Sequence, residues 1–162
     1  MNHIWSPWRM NYIMNHEHKS GCIFCDALER QDWVENLIAF RGKSAFVILN
    51  RYPYTSGHLM VVPFDHKPSM EMLAIDTCNE IMVLLNASIK VLRMVYKPEG
   101  FNIGTNIGDV AGAGVASHVH FHVVPRWAGD TNFITTTGMV RVIPEELDQT
   151  YTRISAAWSE MK

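Results

Sequence analysis

The run His118-Val-His-Phe-His122 constrains this chain more than any other feature. Side chains alternate across a β-strand, so an extended reading puts His118, His120 and His122 on one face and Val119, Phe121 and Val123 on the other. The apolar face needs a core behind it, whereas three imidazoles make poor core material. The row therefore predicts a sheet with one face given to packing and one to chemistry. Two chemistries fit. Imidazole is the commonest transition-metal ligand, and alternate strand positions converge. Neutral imidazole is also a nucleophile and a proton carrier near neutral pH. The glycine-rich stretch Gly108-Asp-Val-Ala-Gly-Ala-Gly114 just upstream favours chemistry at phosphorus, because glycines expose backbone N–H groups that can cradle phosphate oxygens.

The other elements follow from periodicity. Residues 36–41 and 44–49 read as strands joined at Gly42-Lys43, followed by a turn over Asn50–Gly57 and a strand over 58–63. Further strands fall at 101–106 and 117–124. A long helix is predicted from Asp76 or Thr77, with Thr77-Cys-Asn-Glu80 spaced as a capping box. Ile81, Leu84, Leu85, Leu92, Val95 and Tyr96 form its core-facing stripe, and Pro98 and Gly100 end it. A last helix starts after Pro144 with Glu145 and Glu146 in its first turn. Strands without regular helical crossovers predict an antiparallel α+β fold rather than a doubly wound sheet. The 162 residues show no repeat or linker and are expected to form one domain, with an arm over 1–21, a core over 22–125 and an extension over 126–162.

Composition narrows the classes further. A chain 48% hydrophobic and 19% charged is not disordered, and no apolar run approaches the roughly 20 residues that span a bilayer. A net charge of −2 gives no electrostatic reason to bind nucleic acid polymers. The opening residues contain no apolar signal-peptide core, so the expected location is cytoplasmic. In that setting Cys22-Ile-Phe-Cys25 points to metal or redox chemistry rather than a structural disulfide, with a pair of reduced thiols as the plain alternative. Cys78 reads as a small core residue of the long helix; His3, His16 and His18 have no spacing partner, and His16-Glu-His18 reads as solvated.

His118-Val-His-Phe-His-Val-Val124 resembles the motif of the histidine triad family, in which histidines alternate with apolar residues. Leu49-Asn50 with Gly57-His58 is similar to the family's earlier nucleotide-contacting segment. Asn102–Gly108, Ala111–Gly114, Pro125-Arg-Trp127, Gly129-Asp130 and Asn132-Phe133 resemble the branch related to diadenosine tetraphosphate phosphorylases, as do Trp5–Arg9 and Cys22–Asp26. The likeness spans most of residues 4–150. It implies a sheet of five antiparallel strands with one long and one C-terminal helix. It implies that His120 attacks the α-phosphorus of a nucleotide and forms a covalent nucleotidyl-histidine. His122 and His58 would serve the phosphate site, with Ser117 and the amides near Gly114 as further donors. Asn50 would contact ribose, and Asn106 would lie near the scissile phosphate. A structural zinc would be held by Cys22, Cys25, His66 and His118. A homodimer is also implied, paired through the long helix and strand edges, with the chain from Arg126 onward near the partner's nucleotide pocket. The expected activity is cleavage of dinucleoside polyphosphates by phosphate or water. The alternatives are a nucleoside phosphoramidate hydrolase, a nucleotide-binding protein with incidental catalysis, and a metal carrier or sensor using all three triad histidines.

Overall fold

The structure, a computed structural model, describes residues 21–30, 36–131, 133–138 and 143–161. The arm through residue 20, and with it His3, His16 and His18, lies outside them. The apolar runs of the sequence become the centre of one antiparallel sheet. Its strands are β1 (Ile38–Arg41), β2 (Ala45–Leu49), β3 (Leu59–Pro63), β4 (Gly100–Thr105) and β5 (Phe121–Arg126), in the order β1-β2-β3-β5-β4. β2 and β3 are buried along their whole length, as central strands covered on both faces must be. The helices are α1 (Ile23–Glu29), α2 (Ile75–Tyr96), α3 (Phe133–Thr137) and α4 (Leu147–Glu160). α2 lies on β2, β3 and β5, and α4 on α2 and β1, which closes a single core. Phe46, Ile38, Leu49, Leu59, Leu92 and Ile154 are fully enclosed there, each burial contributing about 1.5–3 kcal/mol of transfer free energy.

Several local readings need correction. α2 begins at Ile75 after Ala74, which makes no side-chain cap, so Thr77-Cys-Asn-Glu80 is not a capping box. Glu80 reaches across to the β1–β2 turn instead. It accepts from Lys43 N at 2.7 Å, Ser44 N at 2.6 Å and Ser44 Oγ at 2.5 Å. The buried stripe of α2 includes Val91, whereas Val95 and Tyr96 are half-buried. Cys78 is on α2 as expected but only half-buried, away from the core stripe. Glu145 and Glu146 precede α4 rather than forming its first turn. Glu145 accepts from Tyr96 Oη and from Thr150 Oγ1 at 2.8 Å, fastening α4 to the end of α2. The sequence reading missed α1, a seven-residue helix too short to show a full apolar period.

Candidate active site

The β3–β5 pairing brings the two histidine segments together. Its register sets Met60 opposite His122 and Leu59 opposite Val123, which leaves His58 at the head of β3 beside His122. The preceding turn is built to hold His58 there. Asn50 Oδ1 accepts from Tyr52 N at 2.9 Å, and Thr55 Oγ1 donates to Pro125 O at 3.0 Å, tying the turn to β5. Gly57 adopts φ +77°, with Leu92 and Tyr96 of α2 only 3.0 Å from where a Cβ would sit, so glycine is required twice over.

The triad row is not one continuous strand. β5 starts at Phe121, so only His122 sits in the ladder, and the expected strand over 117–124 is shortened at its start. His118, at a bend, and His120 precede it in an irregular segment whose Val119 N donates to Lys67 O at 2.7 Å. This detour lets neighbouring histidines take different partners. His120 is 4% exposed, and its Nδ1–H donates to the His118 carbonyl at 2.9 Å. The lone pair is therefore on Nε2. Burial holds this ring below the usual histidine range, outweighing the carbonyl bond that favours its cation, so it is neutral at pH 7. Thr105 Oγ1 donates to His120 O at 2.7 Å, and the Phe24 ring lies 5.0 Å from the His120 ring, which fixes the backbone and shields one side.

His122 lies 5.0 Å from His120, ring centre to ring centre, with planes 76° apart. Its Nδ1 is 3.0 Å from His58 Nε2. His58 is 1% exposed and its Nδ1 faces Tyr54 N at 3.1 Å and Asn50 Nδ2 at 3.3 Å. A main-chain N–H can only donate, so His58 Nδ1 accepts and its Nε2–H donates to His122 Nδ1. His58 thus stands behind His122 rather than beside it. Of the other predicted contacts, Asn106 is half-buried and its Nδ2 donates to Gly112 O at 3.3 Å, bracing the glycine loop. Ser117 and Gly114 are exposed on that loop. Sequence reasoning did not single out Tyr54, Thr105, Phe24 or the Pro63 carbonyl. Each acts through the tertiary neighbourhood and carries no local motif.

His118 belongs to a different cluster. It is fully buried and its Nε2–H donates to Pro63 O at 2.9 Å, which turns the Nδ1 lone pair toward Cys22 Sγ at 3.3 Å and Cys25 Sγ at 3.7 Å. Cys25 Sγ is also 3.3 Å from Nδ1 of the exposed His66. The four ligand atoms lie within 4.8 Å of one another. Tetrahedral zinc, with Zn–S of about 2.3 Å and Zn–N of about 2.0–2.1 Å, would set neighbouring ligand atoms about 3.3–3.8 Å apart. The three close pairs fall in that interval, so these residues can hold such an ion. A carbonyl orienting the far nitrogen of a ligating histidine is the usual outer support of such a site. Burial, and after it the adjacent Cys22, push the Cys25 thiol up to about 11, so without a cation this thiol keeps its proton at neutral pH.

The chain is similar to several known proteins. The model of the HIT domain family matches residues 34–129. The AP-4-A phosphorylase of Mycobacterium tuberculosis is 38% identical over 98% of this chain and 85% of its own length. A solved histidine triad nucleotide-binding protein from Sulfolobus tokodaii, described as hypothetical, has a TM-score of 0.70 at 26% identity, covering 87% of this chain and 94% of that one. A Zn-bound histidine triad family protein from Mycobacterium smegmatis shares the fold with a TM-score of 0.68 at 24% identity, covering 87% and 95%. With its alternating histidines at the head of β5 and its five-stranded antiparallel sheet, the chain belongs to the HIT, or histidine triad, family.

Proposed function

We propose that this nucleotidyl hydrolase or transferase cleaves dinucleoside polyphosphates, diadenosine tetraphosphate among them, at the α-phosphorus through a covalent nucleotidyl-His120. The observation that carries the reading is a pair of adjacent rings held in opposite tautomers: His120 with its lone pair on Nε2, His122 with its hydrogen there. In the first step His120 Nε2 forms a bond to the α-phosphorus. The bond from that phosphorus to the bridging oxygen breaks, and the electron pair leaves with the nucleoside polyphosphate. The His118 carbonyl, accepting from Nδ1–H, stabilises the positive charge that develops on the ring. His122 donates to a non-bridging oxygen as negative charge builds there. Phosphate or water then attacks the phosphorus and releases His120. Ser117 and the amides near Gly114 add donors to the phosphate, Asn50 meets the ribose, and Asn106 sits near the scissile phosphate. His58 serves the phosphate through His122. The 38% identity to a protein named AP-4-A phosphorylase supports phosphate as acceptor.

Cys22, Cys25, His66 and His118 would hold zinc. With four protein ligands it would be structural, pinning α1 and the segment after β3 to the residue two before the nucleophile. The proposed enzyme is a cytoplasmic single-domain homodimer. The direct test incubates enzyme with diadenosine tetraphosphate, with and without inorganic phosphate. ADP plus ATP only in its presence identifies phosphorolysis, and AMP plus ATP in its absence identifies hydrolysis. No turnover under either condition contradicts the proposal.

A further inference from the structure

Tyr54 has no place in the reading above, yet it touches both histidines behind the nucleophile. Its main-chain N–H faces His58 Nδ1 at 3.1 Å. Its ring lies 4.5 Å from the His58 ring and stacks on the His122 ring at 5.9 Å, with planes 28° apart. We propose that Tyr54 is a positioning residue of the catalytic row, whose main-chain N–H and ring together lock His58 and His122 into one tautomer and one orientation, so that His122 meets the substrate as a neutral Nε2–H donor. As a statement about catalysis, this rests on the nucleotidyl-His120 reading.

The argument is one of hydrogen counting. A neutral imidazole carries one N–H. Two donors, Tyr54 N–H and the Asn50 amide at 3.3 Å, converge on His58 Nδ1, so its hydrogen is on Nε2. That hydrogen points at His122 Nδ1 across 3.0 Å, so the hydrogen of His122 is on Nε2. Reversing the chain would set His58 Nδ1–H against the amide of Tyr54. Adding a proton to His122 Nδ1 would set it against His58 Nε2–H. Main-chain amides cannot turn over as a hydroxyl can, and this one is fixed by the turn that Asn50, Thr55 and Gly57 hold. The ring of Tyr54 then fixes the plane of His122, which decides where the hydrogen points. The lock is made by the ring and the main-chain amide.

The test reads tautomers and turnover separately. Nitrogen-15 spectra of the side chains of the full-length protein at pH 7.5 should show both His58 and His122 as Nε2–H forms with bare Nδ1, and His120 as the Nδ1–H form. In Tyr54→Ala the stacked ring is gone, His122 should populate more than one form or orientation, and kcat should fall about tenfold with KM within about twofold, as expected when a donor is retained but misaimed. Tyr54→Phe should match the parent in both readouts. Parental spectra with His122 as Nδ1–H, or charged at that pH, overturn the proposal even if Tyr54→Ala fails to fold. So does a Tyr54→Ala protein with unchanged kcat and unchanged spectra, or a Tyr54→Phe protein as slow as Tyr54→Ala. If the parent shows the expected tautomers but turns over no dinucleoside polyphosphate, the functional reading fails while the lock stands.

Discussion

The two ends of a five-residue histidine run are set against opposite partners, and the proposed division of labour follows from those partners. At its start, His118 gives its far nitrogen to the Pro63 carbonyl and aims a lone pair at two thiols. Two and four residues on, His120 gives its near nitrogen to a carbonyl, and His122 receives a hydrogen from His58. The side chains are identical; the acceptor or donor that the fold sets against each ring decides whether it reads as ligand, nucleophile or donor. An imidazole becomes specific through its second nitrogen.

The comparison can be broken by substitutions that should separate the two ends. His120→Ala removes the nucleophile and should lower turnover by at least about a thousandfold, while zinc content and melting temperature stay near parental values. Loss of metal in this variant would merge the two ends and favour the metal-carrier alternative. His122→Gln removes a positioned donor and should cost about a hundredfold to a thousandfold in kcat, again with metal retained. Cys25→Ser is the converse. It should abolish stoichiometric zinc and lower the melting temperature by about 5 °C while turnover falls far less than in His120→Ala, because on the proposed reading zinc would tie segments together without entering the chemistry. Equal losses of turnover in the two variants would contradict the division.

Glu80→Gln serves as a scaffold control that should touch neither end. Burial raises the Glu80 pKa, but the N–H and hydroxyl donors of Lys43, Ser44 and Ala45 together outweigh it and hold the carboxyl below its ordinary range. A depressed carboxylate contributes stability that is present above its unfolded pKa and lost as pH falls through the folded value. The parent should therefore exceed Glu80→Gln by about 1–2 kcal/mol in denaturant unfolding at pH 7, and the gap should close in acid. A gap that holds or widens at low pH would contradict this account of the β1–β2 turn.

How much of this was legible beforehand depended on the range of the interaction. Alternation and 3.6-residue periodicity exposed the strands, α2 and the histidine row, because those patterns are local. Glu80 misled because the spacing of a capping box says nothing about a turn 36 residues away that offers better donors. The row itself leaves the ladder before His120 because Val119 N bonds Lys67 O, a partner no local pattern reveals. His58 could be assigned to the phosphate site from sequence likeness, but its place behind His122 follows only from the β3–β5 register. The Cys22-x-x-Cys25 spacing pointed to metal or redox chemistry, and only the family resemblance added His66 and His118, whose meeting with the pair is a property of the fold.

The central claim is that the Nε2 of one buried imidazole bonds to phosphorus while its neighbours in the run do other work. It is tested most directly by mixing enzyme with diadenosine tetraphosphate, quenching in base within a single turnover, and mapping the acid-labile nucleotidyl phosphoramidate by peptide mass spectrometry. The account predicts an adduct on His120 and none on His118 or His122. Turnover with no adduct, or an adduct on either neighbour, would contradict it.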